Sequence, residues 1–403
     1  FDLYQNLELP VTYILADMEY VGAKIDIHVL KEMEMDFEQQ IKQIEEDIYM
    51  LADKEFNISS PKQLGEVLFE RLGLPNGKKT KTGYSTSQDI LEKIEGLHPI
   101  IPLIQKYRML TKLSSTYVKG LQEQVFADGK IHTIYNQALT QTGRLSSIEP
   151  NLQNIPVRQE EGKLIRKAFI PSHDYLVTFD YSQIELRILA HLAGVQSLIE
   201  AFNQDKDIHT HTAALVFKVK DEEVTANMRR QAKAVNFGII YGMGEFKLSQ
   251  QIGVSLKEAK EFIRRYFEEY PEIKVYMDQI VEDCKNTGYV STVLNRKRYI
   301  PTINDKNFMV REQARRFAMN SPIQGSGADI LKLAMMKVNQ LMKDKHLKSE
   351  MILQVHDELI FDVYKDELDE MMKLIKSAMV EAFQMDVPLK VDGAYASNWY
   401  DLK

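Results

Sequence analysis

What this 403-residue chain lacks narrows it first. Its single cysteine, Cys284, excludes a disulfide framework and any zinc site built from several thiolates, and fits a reducing compartment. No apolar run approaches the roughly 18 residues that a membrane span needs, and no signal peptide opens the chain. A cytoplasmic protein with no membrane partner is expected. Basic residues are not in excess either: 51 Lys and Arg against 58 Asp and Glu leave a formal charge of −7. That balance excludes a uniformly basic coat but not a basic cleft in an acidic body, because fields act locally. Internal repeats and low-complexity tracts are also absent. The composition is ordinary for a globular protein, 44% hydrophobic and 27% charged, and the length suits two or three domains. A first residue of Phe1 instead of Met points to a fragment whose upstream part is missing.

The hydrophobic pattern then divides the chain. Residues 27–51 predict one long helix: Leu30, Phe37, Ile44 and Leu51 recur every seven residues, and Ile41 and Ile48 fill the second seam position. Ser60, Pro61 and Gln63 predict a helix start with a capping box, and Gly73-Leu74-Pro75 ends that helix. A loop over 76–87 carries Lys78, Lys79 and Lys81. A second amphipathic helix steps through Tyr107, Leu110, Leu113, Tyr117 and Leu121. From Lys130 the pattern changes to short strands and loops. Residues 175–179 form an apolar strand ending at Asp180, followed by a helix through Leu192. Residues 221–300 are mostly helical, with helices over 228–241 and 256–270, and another helix spans 329–342. Strand patterns at 351–355 and 359–363 flank His356-Asp357-Glu358, a hairpin with acids at its tip.

Asp180 and Asp357 stand out because each follows an apolar strand. Two aspartates converging at adjacent strand ends suit a hard divalent cation such as Mg²⁺, and a pair of such ions serves phosphoryl transfer. Taken alone, both also read as ordinary turn acids. On the helix over 228–241, Arg229, Lys233, Phe237 and Tyr241 are spaced by four and form a slowly winding stripe. The stripe spans roughly 18 Å at 1.5 Å per residue, near the length of an extended nucleoside triphosphate. Its cations occupy the N-terminal half, where helix amides favour anions, and its aromatics the C-terminal half, where a base can stack. An amphipathic helix with buried aromatics and solvated cations gives the same pattern.

Three segments resemble the signature motifs of family A DNA polymerases, the bacterial DNA polymerase I type, and occur in that family's order. They are Asp180-Tyr181-Ser182-Gln183-Ile184-Glu185-Leu186-Arg187, the run from Arg229 through Lys233 and Phe237 to Tyr241 and Gly242, and Gln354-Val355-His356-Asp357-Glu358. Thr142-Gly143-Arg144, Asn151-Leu152-Gln153-Asn154 and Asn320-Ser321-Pro322-Ile323-Gln324-Gly325 also match. The resemblance covers essentially the whole chain. It implies an α+β fold of right-hand architecture, with an antiparallel-sheet palm, helical fingers and a helical thumb. Residues 1–27 become a lead-in segment packing on the palm, 28–126 the thumb, 127–190 and 318–403 the palm, and 191–317 the fingers.

Roles follow from the same resemblance. Asp180 and Asp357 would hold two Mg²⁺ ions, with Mn²⁺ as a substitute, while a primer 3′-hydroxyl attacks the α-phosphate of a dNTP and pyrophosphate leaves. Arg229, Lys233, His209 and Arg158 would grip the triphosphate, Lys233 also serving as proton donor. Phe237 would stack near the incoming sugar and base, and its being Phe instead of Tyr implies poor use of dideoxynucleotides. Tyr241 would sit at the template-base position. Gln183 would also contact the dNTP, and Glu185 would be a steric gate against the ribose 2′-hydroxyl, the only sugar group that separates RNA from DNA precursors. Arg144, Asn151, Gln153, Asn154, Arg316, Gln324 and His356 would contact primer and template, where minor-groove acceptors are similar in every base pair. Lys78, Lys79 and Lys81 would grip duplex phosphates. Glu358 is a third acid beside the metal pair, with nothing in the sequence that makes it a ligand.

The expected protein is thus a monomeric DNA-directed DNA polymerase, a nucleotidyltransferase of replication or repair in a bacterial, phage or plasmid setting. Its partners are primer-template DNA and dNTPs, and the length leaves no room for a proofreading domain. Two other readings stand beside it: a catalytically inactive DNA-clamping module and a relative of single-subunit RNA polymerases. Gly244-Glu245 and Gly327 depart from the family pattern without removing a catalytic group.

Overall fold

A computed structural model describes every residue except Asn76, Thr82, Arg158 and Lys403. The fold is α+β, and the chain divides into two compact units. One comprises Phe1–Val21, Ile134–Ile148 and His173–Tyr395; the other comprises Gly22–Thr133, Glu149–Ser172 and Ala396–Lys403. Among the described residues, no helix is long and apolar enough to cross a membrane.

The smaller unit is built on the predicted long helix, Ile27–Ala52, which starts where the Asp26 carboxylate accepts the His28 amide at 3.0 Å. Leu30, Phe37, Ile44 and Ile48 are buried and pack toward Ile100–Lys112, whereas Ile41 and Leu51 are only half-buried. The drift arises because a straight helix advances 3.6 residues per turn, so a strict seven-residue seam rotates away from its partner. Ser60 caps Pro61–Gly65 by accepting the Gln63 amide at 3.4 Å. The expected capping box is incomplete, because the Gln63 side chain turns to accept the Asn57 amide at 2.9 Å.

The larger unit holds a four-stranded antiparallel sheet. In chain order its strands are β1 (Tyr175–Tyr181), β2 (Glu350–Val355), β3 (Glu358–Val363) and β4 (Val391–Ala396), arranged β2-β3-β1-β4. The central β3 is buried at all six positions, as a run of Leu, Ile, Phe and Val on a doubly covered strand requires. Phe179 and Phe361 are each at most 1% exposed, and burial of such a side chain contributes about 1.5–3 kcal/mol, which makes the strand ends a firm platform. The close approach of β4 depends on Gly393, where an added Cβ would lie 2.3 Å from the Phe179 ring.

Six helices position the site. They are α1 (Leu9–Val21), α2 (Ile184–Ala193), α3 (Ile208–Phe217), α4 (Ala226–Ile240), α5 (Phe308–Asp344) and α6 (Leu368–Val380). Asp207 caps α3 by accepting the Thr210 amide at 2.9 Å, and Thr225 caps α4 through the Met228 amide at 3.2 Å. Helix α5 is the largest departure from the sequence reading, which starts a helix only at Asp329. It runs for 37 residues, about 55 Å, straight through Pro322, Gly325 and Gly327. Pro322 removes one intrahelical donor. Ala318, Ser321, Ile323, Gly325 and Ala328 are nevertheless buried around it, so tertiary packing overrides the local breakers.

Candidate polymerase site

Asp180 ends the buried run of β1 with its side chain exposed, and lies opposite Glu358 in the register of the β1–β3 pair. Asp357 sits in the two-residue turn between β2 and β3, and its carbonyl accepts the Tyr181 amide at 3.3 Å. The two aspartates, remote in sequence, therefore stand side by side at neighbouring strand ends. The turn itself is tight: His356 adopts φ 55°, the left-handed conformation that two-residue antiparallel turns demand. Gln354 Nε2 donates to the His356 carbonyl at 2.5 Å, and the Tyr135 hydroxyl accepts the Gln354 amide at 2.9 Å. Glu358 is not at the hairpin tip as the sequence suggests. It opens β3, buried, and accepts the Thr178 hydroxyl at 2.5 Å. By the register of the β1–β3 pair it lies directly opposite Asp180 and shares that residue's face of the sheet, as does Thr178 two positions earlier.

Helix α2 begins directly after β1 at Gln183, itself at φ 52°, and carries Glu185 inward to 6% exposure. Glu185 accepts two bonds of 2.8 Å, one from Arg144 Nη2 and one from the Tyr241 hydroxyl at the C-terminal cap of α4. Burial pushes its carboxyl above the usual range, with the Arg144 charge and the Tyr241 bond opposing and the Asp357 charge reinforcing the rise. Burial also raises the Asp357 carboxyl, against the pull of Arg144. The Tyr241 phenol is pushed up to about 12 by burial and by Glu185, while a bond from Gln324 opposes the shift. Arg144, Glu185, Tyr241, Gln324 and Asp357 thus form one electrostatically coupled cluster, fed by a loop, two strands' ends and three helices.

A second cluster lies along α4. Arg229, Lys233 and Tyr241 are exposed and Phe237 is half-buried, while Ala232, Val235, Asn236, Ile239 and Ile240 are buried, so the predicted stripe is the outward face. The Arg229 guanidinium reaches Asp207 Oδ2 with Nε at 3.0 Å and Nη2 at 2.8 Å. His209 is 3% exposed, its ring 5.7 Å from that of Phe237, and burial lowers its pKa to about 4 against the favourable charge of Asp207. Asn236 Nδ2 donates to His209 Nδ1 at 3.1 Å and lies 3.2 Å from the Thr212 hydroxyl. Asp207 and Asn236 escaped the sequence reading as site residues. Asn236 left a signal, being a polar residue on the apolar face of α4; Asp207 looks like an ordinary helix cap.

The remaining residues scatter more. Arg316 is exposed on α5 and packs against Gly242, whose added Cβ would meet Arg316 Cγ at 2.8 Å. Asn151, Gln153 and Asn154 belong to the smaller unit. There Asn151 caps a short turn by accepting the Gln153 amide at 3.1 Å, and the Asn154 carbonyl accepts the Tyr117 hydroxyl at 2.6 Å. Lys78, Lys79 and Lys81 are exposed in the same unit, Lys79 lying 5.3 Å from the Tyr84 ring centre across a short hairpin. Arg158 lies outside the described residues.

Known proteins resemble this chain in sequence and in fold. The sequence model of DNA polymerase family A matches residues 27–401. DNA polymerase I of Bacillus caldotenax is 55% identical over 405 residues, and that of Geobacillus stearothermophilus 54% over 404. Each alignment takes in all of this chain and 46% of the relative, so the chain spans about half the length of these curated relatives. Among solved structures, the POL domain of Pol1 from M. smegmatis, in complex with a DNA primer-template and dNTP, superposes with a TM-score of 0.95 at 44% identity. That match covers all of this chain and 71% of the other. Divalent-metal dependence is general in this family. With a family match over nearly its full length and relatives above 50% identity across all of it, the chain belongs to DNA polymerase family A.

Proposed function

We propose that this chain is a DNA-templated DNA polymerase that adds dNTPs to a primer 3′-hydroxyl with release of pyrophosphate, acting as a monomer in the bacterial cytoplasm. The observation that carries the reading is the pairing of Asp180 and Asp357 at adjacent strand ends beside the Arg144–Glu185–Tyr241 bridge. The assignment of 28–126 as thumb, 127–190 and 318–403 as palm and 191–317 as fingers, with 1–27 as the lead-in, belongs to the same proposal.

The donor chemistry fits a divalent cation: Asp180 and Asp357 offer hard carboxylate oxygens, and the half-buried Asp357 has Arg144 as an opposing cation. These two residues would hold two Mg²⁺ ions, or Mn²⁺ in their place. The bound metal supplies charge neutralisation at the transferring phosphate and a lowered proton affinity at the attacking hydroxyl. Everything else falls to the chain. Arg229 already presents its guanidinium fork to an oxyanion, the Asp207 carboxylate, and would present it to the triphosphate. Lys233, one turn further on, holds a proton at Nζ for the departing pyrophosphate. Asn236 occupies Nδ1 of a neutral His209, which leaves the Nε2 proton to donate to a phosphate oxygen. Arg158 and Gln183 complete the nucleotide contacts. Phe237 offers a ring face to the incoming nucleotide, Tyr241 to the template base, and Glu185 closes the space where a ribose 2′-hydroxyl would stand. Positioning and preorganised charge provide most of the catalysis in such transfers. Arg144, Asn151, Gln153, Asn154, Arg316, Gln324 and His356 contact primer and template, and Lys78, Lys79 and Lys81 the duplex phosphates.

The test is extension of a short primed template with Mg²⁺ and dNTPs, run beside Asp357→Ala. Template-directed extension by the parent and none by the variant, with DNA binding retained in both, is the expected result. A parent that binds DNA without extending it would leave the DNA-clamping module as the better reading.

A further inference from the structure

The loop over 137–144 ends at Arg144, which grips the buried Glu185, yet the loop itself is mostly exposed or half-buried. Its anchorage comes from behind. Gly143 stands at φ +79°, and a Cβ added there would lie 2.5 Å from Arg296 Nε and 2.7 Å from Arg296 Cδ, so the Arg296 side chain runs directly beneath the loop. Gly325 of α5 closes the other side, where an added Cβ would meet the Thr142 carbonyl at 3.0 Å. Arg298, from the same hairpin as Arg296, reaches the Gln141 side chain at 2.9 Å and Ser321 of α5 at 2.7 Å.

Arg296 is held in turn by a buried network of balanced charge. Its Nε donates to Asp329 Oδ1 at 2.8 Å, and its Nη2 pairs with Asp329 and Glu8. The Asp329 side chain is fully buried and accepts the Thr292 hydroxyl at 2.5 Å. Lys332, also buried, donates to Glu8 at 2.8 Å. Glu8 then closes the circuit to the loop's first residue: Gln137 Nε2 donates to the Glu8 carboxylate at 2.6 Å. Both ends of the loop therefore rest on one set of charges drawn from the lead-in segment, a hairpin and α5. A guanidinium fork locked between two carboxylates has one orientation, unlike a solvated cation.

We propose that Arg296 is a positioning residue: it fixes the loop so that Arg144 meets Glu185, and through Glu185 the Tyr241 hydroxyl. The inference rests on the polymerase reading for its consequences in activity but not for its geometry. Neither Arg296, Asp329 nor Glu8 belongs to the cluster that faces the nucleotide. Their effect on nucleotide addition passes through Arg144 alone.

The test is a double-mutant cycle on single-nucleotide primer extension. Arg296→Lys keeps the buried charge but loses the fork. It should lower kcat/KM for the correct dNTP by about tenfold, since a misplacement near 1 Å costs up to about a hundredfold. In an Arg144→Ala background the same substitution should cost less than about twofold. An equal loss in both backgrounds would overturn the proposal, because a merely structural residue weakens both enzymes alike. If Arg296→Lys does not fold, Thr292→Val, which takes one donor from Asp329, carries the same cycle with an expected loss of about threefold. A crystal structure of the folded variant supplies a readout independent of activity. The Arg144–Glu185 bond should be broken, and finding it intact at 2.8 Å would refute the positioning role. Failure of the unsubstituted chain to extend primers would refute the polymerase reading and leave this structural result to decide the inference.

Discussion

Shortening Glu185 to alanine separates what its bulk does from what its charge does. The carboxylate accepts bonds from Arg144 and Tyr241, each of 2.8 Å, and charge-assisted bonds contribute about 1.5–3 kcal/mol apiece. Against that stands the several kcal/mol that burying a carboxylate costs, which the substitution relieves. Arg144 is 35% exposed at its side chain and Tyr241 is 43% exposed, so water replaces the lost acceptor for both. The two effects nearly cancel, and Glu185→Ala should fold with a change in stability of no more than about 2 kcal/mol. Its effect on sugar choice should be larger than that on folding. Forcing an extra group into a filled site costs about 1–3 kcal/mol, or roughly 5- to 150-fold in discrimination. The assay is the ratio of kcat/KM for a dNTP over its rNTP in single-nucleotide extension, for the parent, Glu185→Ala and Glu185→Gln. Alanine should lose that factor, while glutamine, equal in size, should keep most of it. An alanine variant as strict as the parent would refute the gate. Equal relaxation in both variants would mean that charge, and not bulk, excludes the hydroxyl.

Three further outcomes are expected. Asp207→Asn keeps a good helix cap but frees Arg229 from a competing carboxylate. Because the pair is 44% exposed on each side, stability should move by less than about 1 kcal/mol, while KM for dNTP falls by roughly twofold to fivefold; a rise in KM would show that Asp207 orients Arg229 instead of competing for it. His209 faces Asp207, Arg229 and Lys233, and burial holds its folded pKa at about 4 against an ordinary 6.5. As pH falls the unfolded chain therefore protonates first, so the stability gained from keeping this ring neutral is complete above pH 6.5 and drains away toward pH 4, by up to about 3 kcal/mol. The difference in denaturant midpoint between the parent and His209→Gln should stay constant above that window and move against the parent as pH falls through it; parallel pH profiles would contradict the buried neutral ring. Affinity for primer-template should fall with log salt at a slope of roughly −0.9 per phosphate contact, and replacing Lys78, Lys79 and Lys81 together by alanine should flatten it by about 3. An unchanged slope would remove these lysines from the DNA contacts.

Much of the site was legible in the sequence because its signals are local. A strand's end follows from where an apolar run stops, which marked Asp180 and Asp357 before any fold was known. Helical periodicity put Arg229, Lys233, Phe237 and Tyr241 on one face, and that face is the exposed one. The long helix over 27–51 likewise followed from a seven-residue recurrence, and Ile27–Ala52 is its realised form. Each of these depends on neighbours within about ten residues, where backbone geometry alone decides which side chains share a side.

Tertiary structure decided the partners. Nothing in the sequence pairs Arg144 with Glu185, Arg229 with Asp207 or Asn236 with His209, since any of these groups finds water equally well in an unfolded chain. Nor does local propensity carry a helix through Pro322 and two glycines; burial of Ala318, Ile323 and Ala328 does. Glu358, next to Asp357 in sequence, came to lie opposite Asp180 and to accept the Thr178 hydroxyl once strand pairing fixed its direction. Local order along the chain thus settles which residues are presented and on which face of their own strand or helix. Only folding decided which charges meet, because that depends on burial, and burial is a property of the whole chain.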